Sequence, residues 1–232
     1  MDRSSVLEIL CLRHGKTNYT NSEKDLTPEG EAHVRQVGKD VVLPWILQNH
    51  RHGGCLNVLS SPAPRAQYTA RCVLESVGYT DGFLIEHQIG PTVWRDPKRA
   101  LAACNGLSGK GYINYETEPV FADPEVFEPP HAVRECWYAF LASYIWRSHL
   151  SLPHGSRHYA LFVSHYEVLC NLVLDLFNIS ATRETELRHA EPIYLSISAP
   201  GIGGWVNIAG TFRGQKASAN FNLWECALIR CA

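Results

Sequence analysis

Four cation-capable side chains stand out by where they fall in the chain: Arg13, His14, Arg65 and His165. Arg13-His14-Gly15 comes directly after an aliphatic run, Val6 to Leu12, and His165 directly after another, Tyr159 to Ser164. Ser60-Ser61-Pro62-Ala63-Pro64-Arg65 follows the short apolar run Leu56 to Leu59 and leads into helical spacing. Side chains just beyond strand ends meet at one edge of a sheet. Two guanidinium groups and two imidazoles gathered there, without a metal signature, make a site for a dianion such as a phosphoryl group. The helix that starts after Ser61 would add the positive end of its dipole. Alone, a histidine at a strand end reads as a hydrogen-bonded structural residue and Arg65 as a solvated helix residue. Joint placement at one edge is what points to chemistry.

The elements that must position these groups follow from periodicity. Val6 to Leu12 reads as a buried strand, and Arg13 to Asp25 as a polar loop. Thr27-Pro28-Glu29-Gly30 is a helix start: Thr as N-cap, Pro at the first helical position and Glu in the first turn. That helix is predicted to run from Pro28 to Gln48, interrupted near its end by Pro44. Leu56 to Leu59 is a second strand, Ala63 to Val77 a helix stopped by Gly78, and Phe83 to Ile85 a third strand. From Gly90 to Pro130 regularity disappears, and the stretch is too long for a simple connection. It reads as an insertion over the active face, a lid or cap segment spanning 91–155 that includes a helix from Ala132 to His149. Tyr159 to Ser164 is a strand and Glu167 to Phe177 a helix. The C-terminal part reads as strands over Pro192 to Ser198, Gly204 to Ala209 and Phe221 to Ile229, completing the sheet or offering an edge to a second copy in a homodimer. Strands alternating with helices predict an α/β three-layer sandwich: a mostly parallel central sheet with helices on both faces, in one domain over 1–232. Function then belongs at the carboxyl ends of the strands.

Composition narrows the classes. The chain has 232 residues with 45% hydrophobic and 19% charged residues, as a globular domain does. Lys plus Arg number 21 against 23 Asp plus Glu, a net charge of -2 that leaves no basic footprint for nucleic acid. No apolar run reaches the roughly 20 residues that span a bilayer, and Glu8 and Arg13 spoil Val6 to Leu12 as part of a secretory leader. The 8 cysteines form no CxxC pair and no zinc spacing, so they read as reduced thiols of a cytoplasmic protein. Gln48-Asn49-His50-Arg51-His52 lacks carboxylate or cysteine partners and reads as a surface helix end rather than a metal site.

Four blocks in order resemble the histidine phosphatase superfamily, the phosphoglycerate mutase-like branch. Leu12-Arg13-His14-Gly15-Lys16-Thr17 resembles its nucleophile segment and Leu26-Thr27-Pro28-Glu29-Gly30 the helix start that follows. Ser60-Ser61-Pro62-Ala63-Pro64-Arg65-Ala66-Gln67-Tyr68-Thr69-Ala70 resembles its third block, and Val163-Ser164-His165 the late strand with the second histidine. The resemblance spans residues 6 to about 177. It implies a metal-independent phosphatase without cofactor, in which His14 attacks phosphorus and carries a transient phosphohistidine. Arg13, Arg65 and His165 would then hold the phosphoryl oxygens, with Thr17 and Asn18 adding neutral hydrogen bonds. Glu86, in Glu86-His87-Gln88-Ile89-Gly90, resembles the family's general acid, and Asp96 is the alternative.

Two departures from the family pattern bear on the reaction. The loop from Thr17 to Asp25 is short and lacks the Trp-Asn pair and Gly-Trp segment of the mutases, which favours hydrolysis over phosphoryl shuttling. Tyr166 stands where most relatives place Gly, and either narrows the pocket or points elsewhere. The insertion carries Trp94, Tyr112, Tyr115, Phe121 and Phe127, while its basic residues Arg95, Lys98, Arg99 and Lys110 are outnumbered by acids. A lid for a polyphosphate would be basic. The expected partner is therefore a small-molecule or protein phosphomonoester with one phosphoryl group on a partly apolar body, unless these aromatics form the insertion's own core. A phosphoglycerate mutase-like shuttle, or a catalytically weak member that binds a phospho-ligand or protein, are the competing readings.

Overall fold

The computed structural model describes residues 6–17, 23–51, 54–107, 119–151, 157–180, 182 and 185–231. Its centre is β1 (Val6–Arg13), flanked by β4 (Arg157–Ser164) in parallel and β5 (Pro192–Ile197) in antiparallel register. β2 (Cys55–Ser60) and the two-residue β3 (Leu84–Ile85) continue the parallel side. On the other side β6 (Trp205–Phe212), β7 (Gln215–Asn222) and β8 (Ala227–Arg230) form an antiparallel meander. The strand order is β3-β2-β4-β1-β5-β6-β7-β8. The sheet is thus mixed: a parallel half that carries the motifs and an antiparallel half that extends it. The C-terminal reading needs one correction, because Phe221 to Ile229 is two strands. Asn222 Oδ1 accepts from the Trp224 and Glu225 N–H groups, and Cys226 takes a positive φ, so the chain reverses between them.

Both faces of β1 are buried, which explains its near-continuous apolar run. Leu10 and Leu12 pack with α1 (Pro28–Val37), α2 (Leu43–His50) and α3 (Pro64–Ser76) on one face. Leu7, Ile9 and Cys11 pack with α5 (Pro130–Leu150) and α6 (Tyr166–Phe177) on the other. Glu8, the polar break in the run, accepts a hydrogen bond from Ser196 Oγ (2.9 Å) on β5. Burial raises its pKa.

α1 starts as its sequence dictates. Thr27 caps it by accepting from the Gly30 N–H (3.0 Å), and Pro28 occupies the first turn. Pro44 does not end the helical run. A wide π-type turn over Gly38–Val42, with the Leu43 N–H donating to Gly38 O, carries it into α2. The insertion is more regular than its composition suggests, since it contains α4 (Pro97–Leu107). Ala100, Phe121, Val126 and Phe127 form a small core of their own, separate from the two sheet faces. Among the described residues no helix is long and apolar enough to cross a membrane.

Candidate active site

The parallel strands end at one edge, and backbone hydrogen bonds carry the ladder one residue past each end. The His14 N–H donates to Ser164 O (2.9 Å), the Ser61 N–H to Val163 O (3.0 Å) and the Glu86 N–H to Ser60 O (2.8 Å). Each of these residues is therefore held in strand register although it lies just past its strand. His165 lies between β4 and α6, in extended conformation at the helix N-cap position.

His14 is 3% exposed, and its Nδ1 lies 2.8 Å from the Gly15 carbonyl oxygen. A carbonyl only accepts, so Nδ1 carries the ring proton and Nε2 keeps its lone pair. Burial holds the His14 pKa well below the usual histidine value, and Arg13, Arg65 and His189 push the same way. The Gly15 bond acts in the opposite direction and does not prevail. His14 is neutral at neutral pH. Desolvation is the largest of these causes.

His165 is fully buried, with Nε2 2.7 Å from Ser61 Oγ. That hydroxyl also accepts from the Ala63 N–H (3.2 Å) and keeps both a proton and a second lone pair that can meet His165 Nε2. In the tautomer that accepts from Ser61, the ring proton sits on Nδ1, a buried atom with no hydrogen-bond partner among the described residues. Burial, followed by the charges of His14, Arg65 and Arg13, holds the His165 pKa well below its usual value. The two rings stand 5.1 Å apart, centre to centre.

Arg13 donates through Nη1 to Leu187 O (2.6 Å), and its guanidinium carbon lies 5.2 Å from the centre of the Tyr166 ring. Its Nε is buried without a hydrogen-bond partner among the described residues. Tyr166 thus lies against Arg13 and packs on the α5–α6 core. Arg65 is in the first turn of α3, near enough for its charge to act on both His14 and His165. Thr69, one turn further, accepts from the Gly15 N–H (2.9 Å) and donates to Arg65 O (2.7 Å), tying α3 to the loop after His14.

The remaining candidates are placed less centrally. Glu86 is half-buried at the same sheet edge, and its Oε1 accepts from the Gln88 N–H (3.0 Å). Asp96 is engaged elsewhere: Oδ1 accepts from the Lys98 and Arg99 N–H groups (3.1 Å each) and caps α4. Thr17 is half-buried three residues past His14, while Asn18 lies outside the described residues. In the insertion, Phe127 is fully buried against Phe121 (5.0 Å) and Trp94 (6.3 Å). Phe121 and Phe127 are core residues of the insertion, not a substrate surface. Tyr112 and Tyr115 lie outside the described residues.

Sequence reasoning missed His189. It lies in the turn before β5, and its ring centre is 5.6 Å from that of His14. Nothing around Leu187-Arg188-His189-Ala190 marks it, since no strand end or block precedes it. Among the described residues no group of three or more His, Cys, Asp and Glu could hold a metal ion.

No family model and no curated sequence matches the chain. Solved structures do match in fold. Phosphoglycerate mutase from Bacillus anthracis superposes with a TM-score of 0.58 at 16% identity, over 84% of this chain and 89% of that one. A mycobacterial hydrolase gives 0.55 at 17% identity, over 83% of this chain and 92% of the other. A mycobacterial glucosyl-3-phosphoglycerate phosphatase gives 0.53 at 16% identity, over 82% and 89%. The chain shares its fold with these structures.

Proposed function

We propose that this protein is a phosphatase that hydrolyses a phosphomonoester through a phosphohistidine on His14, without a metal ion. The observation that carries the reading is the His14 tautomer. Nδ1–H is tied to Gly15 O, so a neutral Nε2 lone pair is held at the strand edge beside Arg13, Arg65 and His165. Two buried donors, Arg13 Nε and His165 Nδ1, have no partner among the described residues and suit phosphoryl oxygens.

In the first step Nε2 attacks phosphorus, an N–P bond forms and the ester O–P bond breaks. Glu86 supplies the proton that the leaving oxygen needs. In the second step water attacks the phosphohistidine while the Glu86 carboxylate takes its proton. The N–P bond breaks, phosphate is released and neutral His14 returns. Arg13, Arg65 and His165 stabilise the charge on the equatorial oxygens throughout.

The short Thr17 to Asp25 loop favours hydrolysis over the shuttle of a mutase. A substrate with one phosphoryl group suits the insertion, because its arginines Arg95 and Arg99 are already engaged. Arg99 pairs with Asp123 (2.6 Å) and Glu125 (3.2 Å), and Arg95 donates to Pro124 O (2.7 Å). The test is release of inorganic phosphate from para-nitrophenyl phosphate in EDTA, with inositol polyphosphates as competing substrates. We expect turnover in EDTA, preference for the aryl ester, and loss of roughly four orders of magnitude or more in His14→Ala. Turnover that survives in His14→Ala, or that EDTA abolishes, overturns the reading.

A further inference from the structure

We propose that His189 is a further member of the anion site, neutral while the site is empty and protonated against the bound dianion. The inference rests on the phosphatase reading and extends it to a residue that lies outside the sequence blocks.

Three observations place His189 there. Its ring meets that of His14 edge to face at a centre separation of 5.6 Å, so no third side chain fits between them. The turn that carries it is clamped to Arg13 on both sides: Leu187 O accepts from Arg13 Nη1 (2.6 Å), and the Ala190 N–H donates to Arg13 O (3.0 Å). Ala190 also adopts a positive φ of 55° to close that turn. His189 is half-buried, whereas His14 beside it is 3% exposed.

Its surroundings are cationic. Burial, then Arg13 from β1, His33 from α1 and Lys16 from the nucleophile loop, lower its pKa to about 4. The acid on its own turn does not compensate, because Glu191 pairs with Arg213 (2.6 Å) and accepts from the Arg188 N–H (2.8 Å). Lys16 itself faces Glu29 at 3.8 Å. An imidazole kept neutral by burial and like charges gains a proton when a dianion offsets those charges. Once protonated it donates a charge-assisted hydrogen bond to the anion.

Sulfate is the probe, since it is a dianion that does not titrate near neutrality. The histidine C–H resonances are followed by NMR against pH with and without saturating sulfate, and His189→Gln identifies the His189 signal. We expect the His189 midpoint to move upward into the neutral range with sulfate, and net proton uptake on binding that His189→Gln reduces. On the acid side of neutrality the same variant should raise KM for an aryl phosphate about tenfold, with kcat little changed. A His189 midpoint that stays put while His14 and His165 respond to sulfate overturns the inference and leaves the phosphatase reading intact. Sulfate that moves none of the three, together with turnover by His14→Ala, overturns both.

Discussion

The carbonyl oxygen of Lys16 passes so close to Gly30 that a methyl group built on the Gly30 Cα would overlap it. The obstacle is backbone, and the Thr27 N–H donates to the same oxygen (2.9 Å), so it cannot swing away. Gly30 is thus the point at which α1 docks on the loop that leaves His14. Gly30→Ala is expected to cost about 1–3 kcal/mol of stability, as overpacking does. It should also lower kcat/KM, because relief requires moving Lys16, two residues from His14. Glu29→Ala, an exposed neighbour in the same turn, is the control. Thermal melts and aryl phosphatase assays of both variants make the comparison, and equal effects would remove the packing argument.

Glu86 is assigned the proton that the leaving oxygen receives, and the assignment has a signature. Glu86→Gln should reduce kcat for an alkyl phosphate by about 10²–10⁴-fold. An aryl ester with a good leaving group needs less protonation and should lose much less in the first step. Parallel rates for the two ester classes test this. An equal loss for both would move Glu86 from proton donor to a structural role, such as its cap on the Gln88 N–H.

The sites that the sequence made legible share one feature. His14 and His165 each follow an aliphatic run that is buried on both faces, and the residue after such a run must leave at the sheet edge. Thr27 and Pro28 carried their own local signal for the start of α1. What stayed hidden depends on distant contacts. His189 reaches the site only because Arg13 grips its turn from 174 residues away. α4 contains Asn105 and Gly106 and begins at Pro97, and it is stabilised by Phe121 and Phe127 from further along the chain. The continuation of α1 past Pro44 depends on the widened turn at Gly38. Gly38 is needed there because α3 passes so closely that a side chain would meet Ser76.

The histidines of the site should make the native state sensitive to acid. His14, His165 and His189 all have folded pKa values below the ordinary 6.5, chiefly through burial, and that of His189 is about 4. Below 6.5 the unfolded chain therefore takes up protons that the native state refuses. Stability is full above that pH and declines as pH falls toward 4, with a slope of up to about 1.4 kcal/mol per pH unit for each such group. Glu8, whose pKa is raised by burial, works in the opposite direction but is a single group. Denaturant melts across that range should show the decline, and His189→Gln should make it shallower. A flat profile would mean that these imidazoles titrate normally in the native state.

Tyr166 offers a test of how Arg13 is held. Its ring lies 5.2 Å from the guanidinium carbon, and it is the aromatic face against which the fork rests while Nη1 is bonded to Leu187 O. Such a contact is worth about 0.5–2 kcal/mol. Tyr166→Gly, which restores the residue most common in the resembled family, removes the support and leaves Arg13 free to take other rotamers. kcat/KM for an aryl phosphate should then fall, by about twofold to thirtyfold. Tyr166→Phe keeps the face and should stay near wild type, which separates ring support from any role of the hydroxyl. If Tyr166 instead crowded the pocket, Tyr166→Gly would raise kcat/KM and bulky substrates would gain most. The sign of that change, measured on one small and one bulky ester, decides between a side chain that supports Arg13 and one that obstructs the pocket.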